Sequence, residues 1–195
     1  MIPVRLETAE LGLPAIDALE VDSLAVFIGP ERPLQGLAGF ADWRLCGLIS
    51  RAIRDGLYRP DTGEALLLPS GGRIAVPRIF CLGLRSHPRD EASFAAEVQR
   101  VCTVMHRAGS GGWAGALPET APGVALPTSW LFLQALLPVA PLRLVLLGDS
   151  RALQRDLGAA REALGAVHVE VVPNVARIEM PSRGGGLPQH GAVIR

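Results

Sequence analysis

Short β-rich apolar runs alternate with amphipathic segments along most of the chain, and this alternation restricts the possible folds more than any single residue does. The runs are "SLAVFIG" (23–29), "EALLLPS" (64–70), "PRIFCLGL" (77–84), "WAGALP" (113–118), "LRLVLLG" (142–148) and "VHVEVVP" (167–173). Each holds a Gly or Pro at or near an end, as expected of buried strands closed by turns. Between them, "LQGLAGFADWRLCGLISRAIRDG" places Leu34, Leu37, Ala41, Leu45, Leu48 and Ala52 at three- and four-residue steps. This spacing predicts one amphipathic helix over 34–56, stopped by Gly56. "RDEASFAAEVQRVCTVMHRAG" (89–109) predicts a second, capped by Asp90, striped by Phe94, Val98, Val101 and Met105, and ended by Gly109. "PTSWLFLQALL" (127–137), entered through Thr128 or Ser129, and "DSRALQRDLGAAREALG" (149–165) predict two more. Strand and helix in alternation predict a layered α/β domain. The pattern holds over residues 1–175 and dissolves into "PSRGGGLPQHGAVIR", so 176–195 is expected to be a flexible C-terminal tail.

Composition narrows the function classes. Apolar residues make up 49% and charged residues 19% of 195 positions, enough to bury the core of one domain. Nineteen basic residues offset nineteen acidic ones, so no basic excess points to nucleic acid. Every basic residue is Arg, and without Lys there is no phosphate-loop lysine and no Schiff-base amine. Cys46, Cys81 and Cys102 are odd in number, widely spaced and set in apolar stretches, which predicts reduced, buried thiols and a cytoplasmic location. The acidic first 25 residues contain no signal-peptide core. The greasiest stretch is interrupted by Gln134, Pro138, Pro141 and Arg143, so no membrane span is expected.

Few residues carry a chemical signature. Gly109, Gly111 and Gly112 could cradle a phosphate, but the order there is helix, glycines, strand. A phosphate cradle needs the reverse order, so that the positive end of a helix dipole faces the anion. The glycines therefore read as a helix stop. Two loops have the right polarity, "GLRSHPRD" (83–90) and "LGDSR" (147–151), and ligands of open α/β sheets sit at strand carboxyl ends. Gly83, Arg85, Ser86, Gly148, Asp149 and Ser150 are therefore the candidate ligand-binding residues, while Ser86, Asp90, Asp149 and Ser150 also fit as plain helix caps. His87, His106, His168 and His190 are scattered without metal-ligand spacing, and His168 alternates with valines as if facing solvent on a strand. No GxSxG elbow is present. No catalytic residue, metal site or cofactor is assigned.

The segments "DSLAVFIG", "PLQGLAGFADWRLCGLISRAIRDG", "GEALLLPSGGRIAVPRIFCLGL" and "WAGALPE", in that order, resemble the N-terminal domain of the leucine (cytosol) aminopeptidase family over about residues 15–174. Family members usually carry a further glycine after the Gly-Leu pair, where this chain has Arg85. The resemblance implies a three-layer, macro-domain-like α/β fold with a mixed sheet between helices. It also implies that metals and catalysis belong to a separate C-terminal domain, of which this sequence shows no NTDAEGR-type segment and no lysine. The expectation is a non-catalytic relative of that domain, acting in protein interaction, assembly or regulation, alone or as a homo-oligomer. The exposed side of the 34–56 helix or the 176–195 segment would supply the surface. The alternative is a module for a small ligand such as ADP-ribose or a nucleotide, because macro-like folds often hold such molecules.

Overall fold

Seven strands form one sheet in a computed structural model that describes residues 4–139 and 143–174. They are β1 (Val4–Glu10), β2 (Ser23–Ile28), β3 (Ala65–Pro69), β4 (Arg78–Gly83), β5 (Gly112–Gly115), β6 (Arg143–Gly148) and β7 (Val169–Pro173). Their order is β3-β4-β2-β5-β6-β1-β7, with every neighbouring pair parallel except β3 with β4. Helices α1 (Leu13–Asp17), α2 (Gly36–Arg44) and α3 (Leu48–Arg54) pack on one face; α4 (Glu91–Arg107), α5 (Thr128–Leu136) and α6 (Ser150–Ala163) pack on the other. The α/β fold with a mixed sheet between helices is as expected.

The register explains why the central strands read as continuous apolar runs. Ile79, Leu24, Ala114 and Val145 stand in one row across β4, β2, β5 and β6, and all four belong to the core under α1–α3. One residue further on, Phe80, Ala25 and Leu146 face the opposite core with Phe94, Val98, Val101 and Met105 of α4. Both faces are covered, so both side-chain parities must be apolar. Phe94 is fully buried, and losing a ring of that size from such a core costs roughly 3–5 kcal/mol.

The structure departs from expectation in several places. The 34–56 segment forms two helices, not one. Cys46 and Gly47 take positive φ values of 56° and 76°, and the Asp42 carboxylate accepts the N–H groups of Ile49 (2.9 Å) and Ser50 (3.1 Å), capping α3. The apolar spacing continues through the break because α2 and α3 bury the same side. Cys46 is correspondingly exposed at this junction, whereas Cys81 and Cys102 are buried as expected, with burial pushing both thiols up to about 12. β1 was not apparent from periodicity, since Arg5, Glu7 and Glu10 interrupt it. Glu7 is nonetheless buried, accepting from Arg143 Nε (2.7 Å) and paired with Arg5 Nε (2.9 Å). The "WAGALP" strand stops at Gly115. His168 precedes β7, its carbonyl accepting the Val4 N–H (2.9 Å). The expected 176–195 tail lies outside the described residues.

The glycine run after α4 does receive an anion, and it is one of the chain's own. Gly109, with φ 65°, ends the helix, and the Gly111 N–H donates to the Asp22 carboxylate (2.8 Å). Asp22 also accepts from Ser110 Oγ (2.6 Å), Ser23 Oγ (2.5 Å) and Arg78 Nη2 (2.9 Å), and Arg78 in turn donates to the Ala108 carbonyl (2.8 Å). Burial alone would raise the Asp22 pKa. The Ser110, Ser23, Gly111 and Arg78 donors outweigh burial and hold it at about 2.

A carboxyl held below its ordinary 3.8 stabilises the fold at pH values above that figure, and the contribution is lost as pH falls towards about 2. Asp22→Asn should therefore lower the unfolding free energy at neutral pH by about 1 kcal/mol, a figure discounted for partial solvent screening. Urea titrations of both proteins should show the gap closing between about pH 4 and pH 2.

Candidate functional site at the strand ends

Parallel strands bring their carboxyl ends to one edge, where the loops after β2, β4 and β5 converge on a cavity of about 50 Å³. Its floor is Phe27, Leu37, Ala38 and Leu84, and its polar rim is Glu31, Gln35, His87 and Glu119. That volume holds a few water molecules, whereas drug-sized ligands occupy roughly 300–1,000 Å³. The rim is drawn closed by its own side chains.

His87 is the centre of the closure. Its Nε2 meets the Glu31 carboxylate, and its Nδ1 lies 3.1 Å from the Glu119 carbonyl. Carbonyl and carboxylate oxygens can only accept, so both contacts are hydrogen bonds when the ring is doubly protonated. Burial would lower the His87 pKa, but the Glu31 hydrogen bond and charge, aided by Glu119, raise it above the ordinary 6.5. Burial would likewise raise Glu31, yet the His87 hydrogen bond and charge bring it below 4.5. Each partner thus favours the other's charged form. The Arg32 guanidinium donates to the Gly29 carbonyl (2.9 Å) and the Glu31 carbonyl (2.5 Å), and the Ala121 N–H donates to the Pro88 carbonyl (2.9 Å). One imidazole therefore ties together three loops that are separately braced.

The start of α2 forms another wall. Its N-cap, Gln35, makes no side-chain capping bond, so the first-turn N–H groups are left without that acceptor. Gly36 takes φ +53°, and a Cβ there would lie 3.4 Å from Glu119 Oε1. A Cβ on Gly29 would occupy the place of the Glu31 carboxylate, the end of a flexible side chain.

The six sequence-predicted residues occupy two separate places, and none of them lines this cavity. Gly83 ends β4, where its N–H donates to the Glu64 carbonyl (2.8 Å) and the Pro60 backbone fills the space a Cβ would need. Arg85 turns away, its Nε donating to the Thr62 carbonyl (2.9 Å), and Ser86 is exposed. Gly148 ends β6 and Asp149 and Ser150 follow it, with β2 and β5 lying between β6 and β4. Asp149 caps α6 through the Ala152 N–H (2.9 Å). Ser150 Oγ lies 3.1 Å from the Thr8 hydroxyl, and the Ser150 N–H donates to the Glu10 carboxylate (3.2 Å). Sequence reasoning reached the 83–90 loop, which contributes Leu84 and His87, but it did not single out Glu31, Gln35 or Glu119. Gly29-Pro30, directly after the most apolar early strand, was the available signal: that loop has the same strand-to-helix polarity as the two selected.

The sequence matches no protein-family model, and no curated protein matches it. Among solved structures it is similar to a leucine aminopeptidase variant from tomato (17% identity, TM-score 0.57), with 85% of this chain aligned to 37% of that one. This chain therefore spans little more than a third of that aminopeptidase. It is also similar to the macro domain of ganglioside induced differentiation associated protein 2 (14% identity, TM-score 0.57, 86% of this chain and 85% of that). A macrodomain from Oceanobacillus iheyensis aligns at 14% identity and TM-score 0.53, over 83% of this chain and 90% of that. The fold is macrodomain-like. The strand-end edge is thus the edge of a macrodomain-like sheet, closed by the Glu31–His87 contact.

A raised imidazole pKa contributes stability that is fully present below the ordinary 6.5 and is lost as pH rises through the folded value. A lowered carboxyl pKa contributes stability present above 4.5 and lost as pH falls through its folded value. His87→Gln should therefore destabilise the protein most between these two ordinary values and least at alkaline pH. Thermal melts across about pH 4 to 9 check this.

Proposed function

We propose that this chain is a non-catalytic small-ligand-binding module, taking an ADP-ribose- or nucleotide-like molecule at the carboxyl ends of β2, β4 and β5. The observation that carries the reading is the convergence there of an apolar floor with His87, Gln35, Glu31, Glu119 and the uncapped start of α2. An apolar floor suits a base, carboxylates accept from ribose hydroxyls or an exocyclic amine, and helix N–H groups suit a phosphate. The macrodomain-like fold supports the same ligand class by analogy. The reading as non-catalytic rests on the aminopeptidase resemblance, whose catalytic residues have no counterpart in this sequence. Millimolar ADP-ribose should raise the melting temperature, since a ligand binding only the native state stabilises it, by about 2.7 kcal/mol at a hundredfold excess over Kd. An unchanged melt with ADP-ribose, ADP and AMP overturns the proposal.

A second reading, protein interaction or assembly, is favoured by one observation. Trp43 on α2 is 63% exposed, with the Arg44 guanidinium 5.0 Å from its ring centroid, and Arg44 is itself anchored by Asp17. Exposed tryptophan and arginine together are the residues most enriched at interface hot spots. Under this reading light scattering gives a mass above that of one chain, and Trp43→Ala returns it to the monomer.

A further inference from the structure

We propose that His87 is the anion-binding group of the strand-end cavity, and that the Glu31 carboxylate holds the place of a ligand's phosphate. The inference rests on the small-ligand reading of this cavity and assigns the group that would receive the charged part.

The two partners of the ion pair are not equivalent. The imidazole is the fixed one: its side chain is 13% exposed, and the Glu119 carbonyl orients the ring through Nδ1 regardless of what Nε2 meets. The carboxylate is the solvent-reaching one, 40% exposed, at the end of a flexible side chain. It lies over Gly29, in space that any side chain there would fill. Removing it leaves an oriented ring nitrogen, positively charged at acidic pH, beside the first turn of α2, whose own donors have no side-chain cap. Such a pair of donors fits phosphate oxygens better than one carboxylate, because a phosphate can accept from both at once.

The surrounding charges explain why the carboxylate must leave first. Glu31 and Glu119 both face His87, so an incoming anion meets two negative groups and one positive. Exchanging the Glu31 carboxylate for a phosphate spares the ligand one of these two negative neighbours. Three guanidiniums among the described residues are already engaged. Arg32 is held on the Gly29 and Glu31 carbonyls, Arg85 on the Thr62 carbonyl, and Arg100 on the Gly83 carbonyl (2.8 Å) and Glu97. On the same loop as His87, Asp90 is committed to capping α4 through the Ser93 N–H (2.7 Å), and α2 presents only the neutral Gln35, Leu37 and Ala38. The closure is therefore a self-inhibiting contact, and its strength sets the apparent affinity.

The test is calorimetric titration of the full chain with inorganic pyrophosphate and, separately, with ADP-ribose. The proteins are the wild type, Glu31→Gln, Glu31→Ala and Glu31→Gln/His87→Gln. At about pH 5.5, where the ring is protonated, both single variants should bind pyrophosphate about fivefold more tightly than the wild type, the scale of one partly exposed ion pair. The gain should vanish at about pH 9 and in the double variant. Equal pyrophosphate affinity in wild type and both Glu31 variants overturns the inference, as does a gain that survives loss of His87. The two proposals fail separately. Pyrophosphate following this pattern without any ADP-ribose binding removes the ADP-ribose reading and keeps the role of His87. ADP-ribose binding equally to all four proteins keeps that reading and removes the role.

Discussion

The Asp22 carboxylate fixes the amino-terminal edge of the sheet. It stands just before β2 and collects donors from the start of β4 through Arg78, and from the approach to β5 through Ser110 and Gly111. Its own N–H donates to the Gly112 carbonyl (3.1 Å). Three parallel strands are thereby brought level at one end by a single charged group. Parallel pairing alone does not set where strands begin, because β2 and β5 arrive from helices α1 and α4 and β4 arrives from its antiparallel neighbour β3. The charged cluster supplies that alignment, and the same Arg78 links it to the end of α4.

Alignment at one edge has consequences at the other. β2, β4 and β5 start level, and two of them, β2 and β4, end level at Ile28 and Gly83. β5 is short and stops at Gly115, opposite Ala25, so the chain from Ala116 onward lies beside the last residues of β2 instead of pairing with them. That early stop makes the hollow into which Phe27 and Leu117 project. The cavity is thus a product of unequal strand length within a common register, and its polar rim comes from whichever loops border the gap.

Much of the architecture was legible because burial on both faces writes itself into sequence as uninterrupted apolar runs, and α4 announces itself through its stripe and cap. β1 was not, because its buried Glu7 is balanced by Arg143, a residue 136 positions away in the chain, and such pairing leaves no local mark. The break between α2 and α3 was hidden for a similar reason: Asp42 caps α3 from the preceding helix, while the apolar spacing runs on undisturbed. The candidate site was legible only in part. Polarity of the strand-to-helix loops pointed to the strand carboxyl ends, where the cavity lies, but β order decides which loops meet, and that order is not readable from one chain. Loops 83–90 and 147–151 looked equivalent in sequence and are separated by two strands in space.

The close approach of Gly83 to Pro60 has a directional consequence for the cavity. The turn around Pro60 rests on the backbone of Gly83, whose N–H and carbonyl are both engaged, by Glu64 and Arg100. The β4 side is a doorpost: at Gly83 both backbone groups are engaged and no volume is spare. The opposite side carries the Glu31 and Glu119 segments, joined to that post through His87 and the Ala121–Pro88 hydrogen bond. The geometry of the β4 side is thus set by Gly83, where a Cβ would collide with the Pro60 backbone, while Glu31 and Glu119, which close on His87, come from the β2 and β5 side.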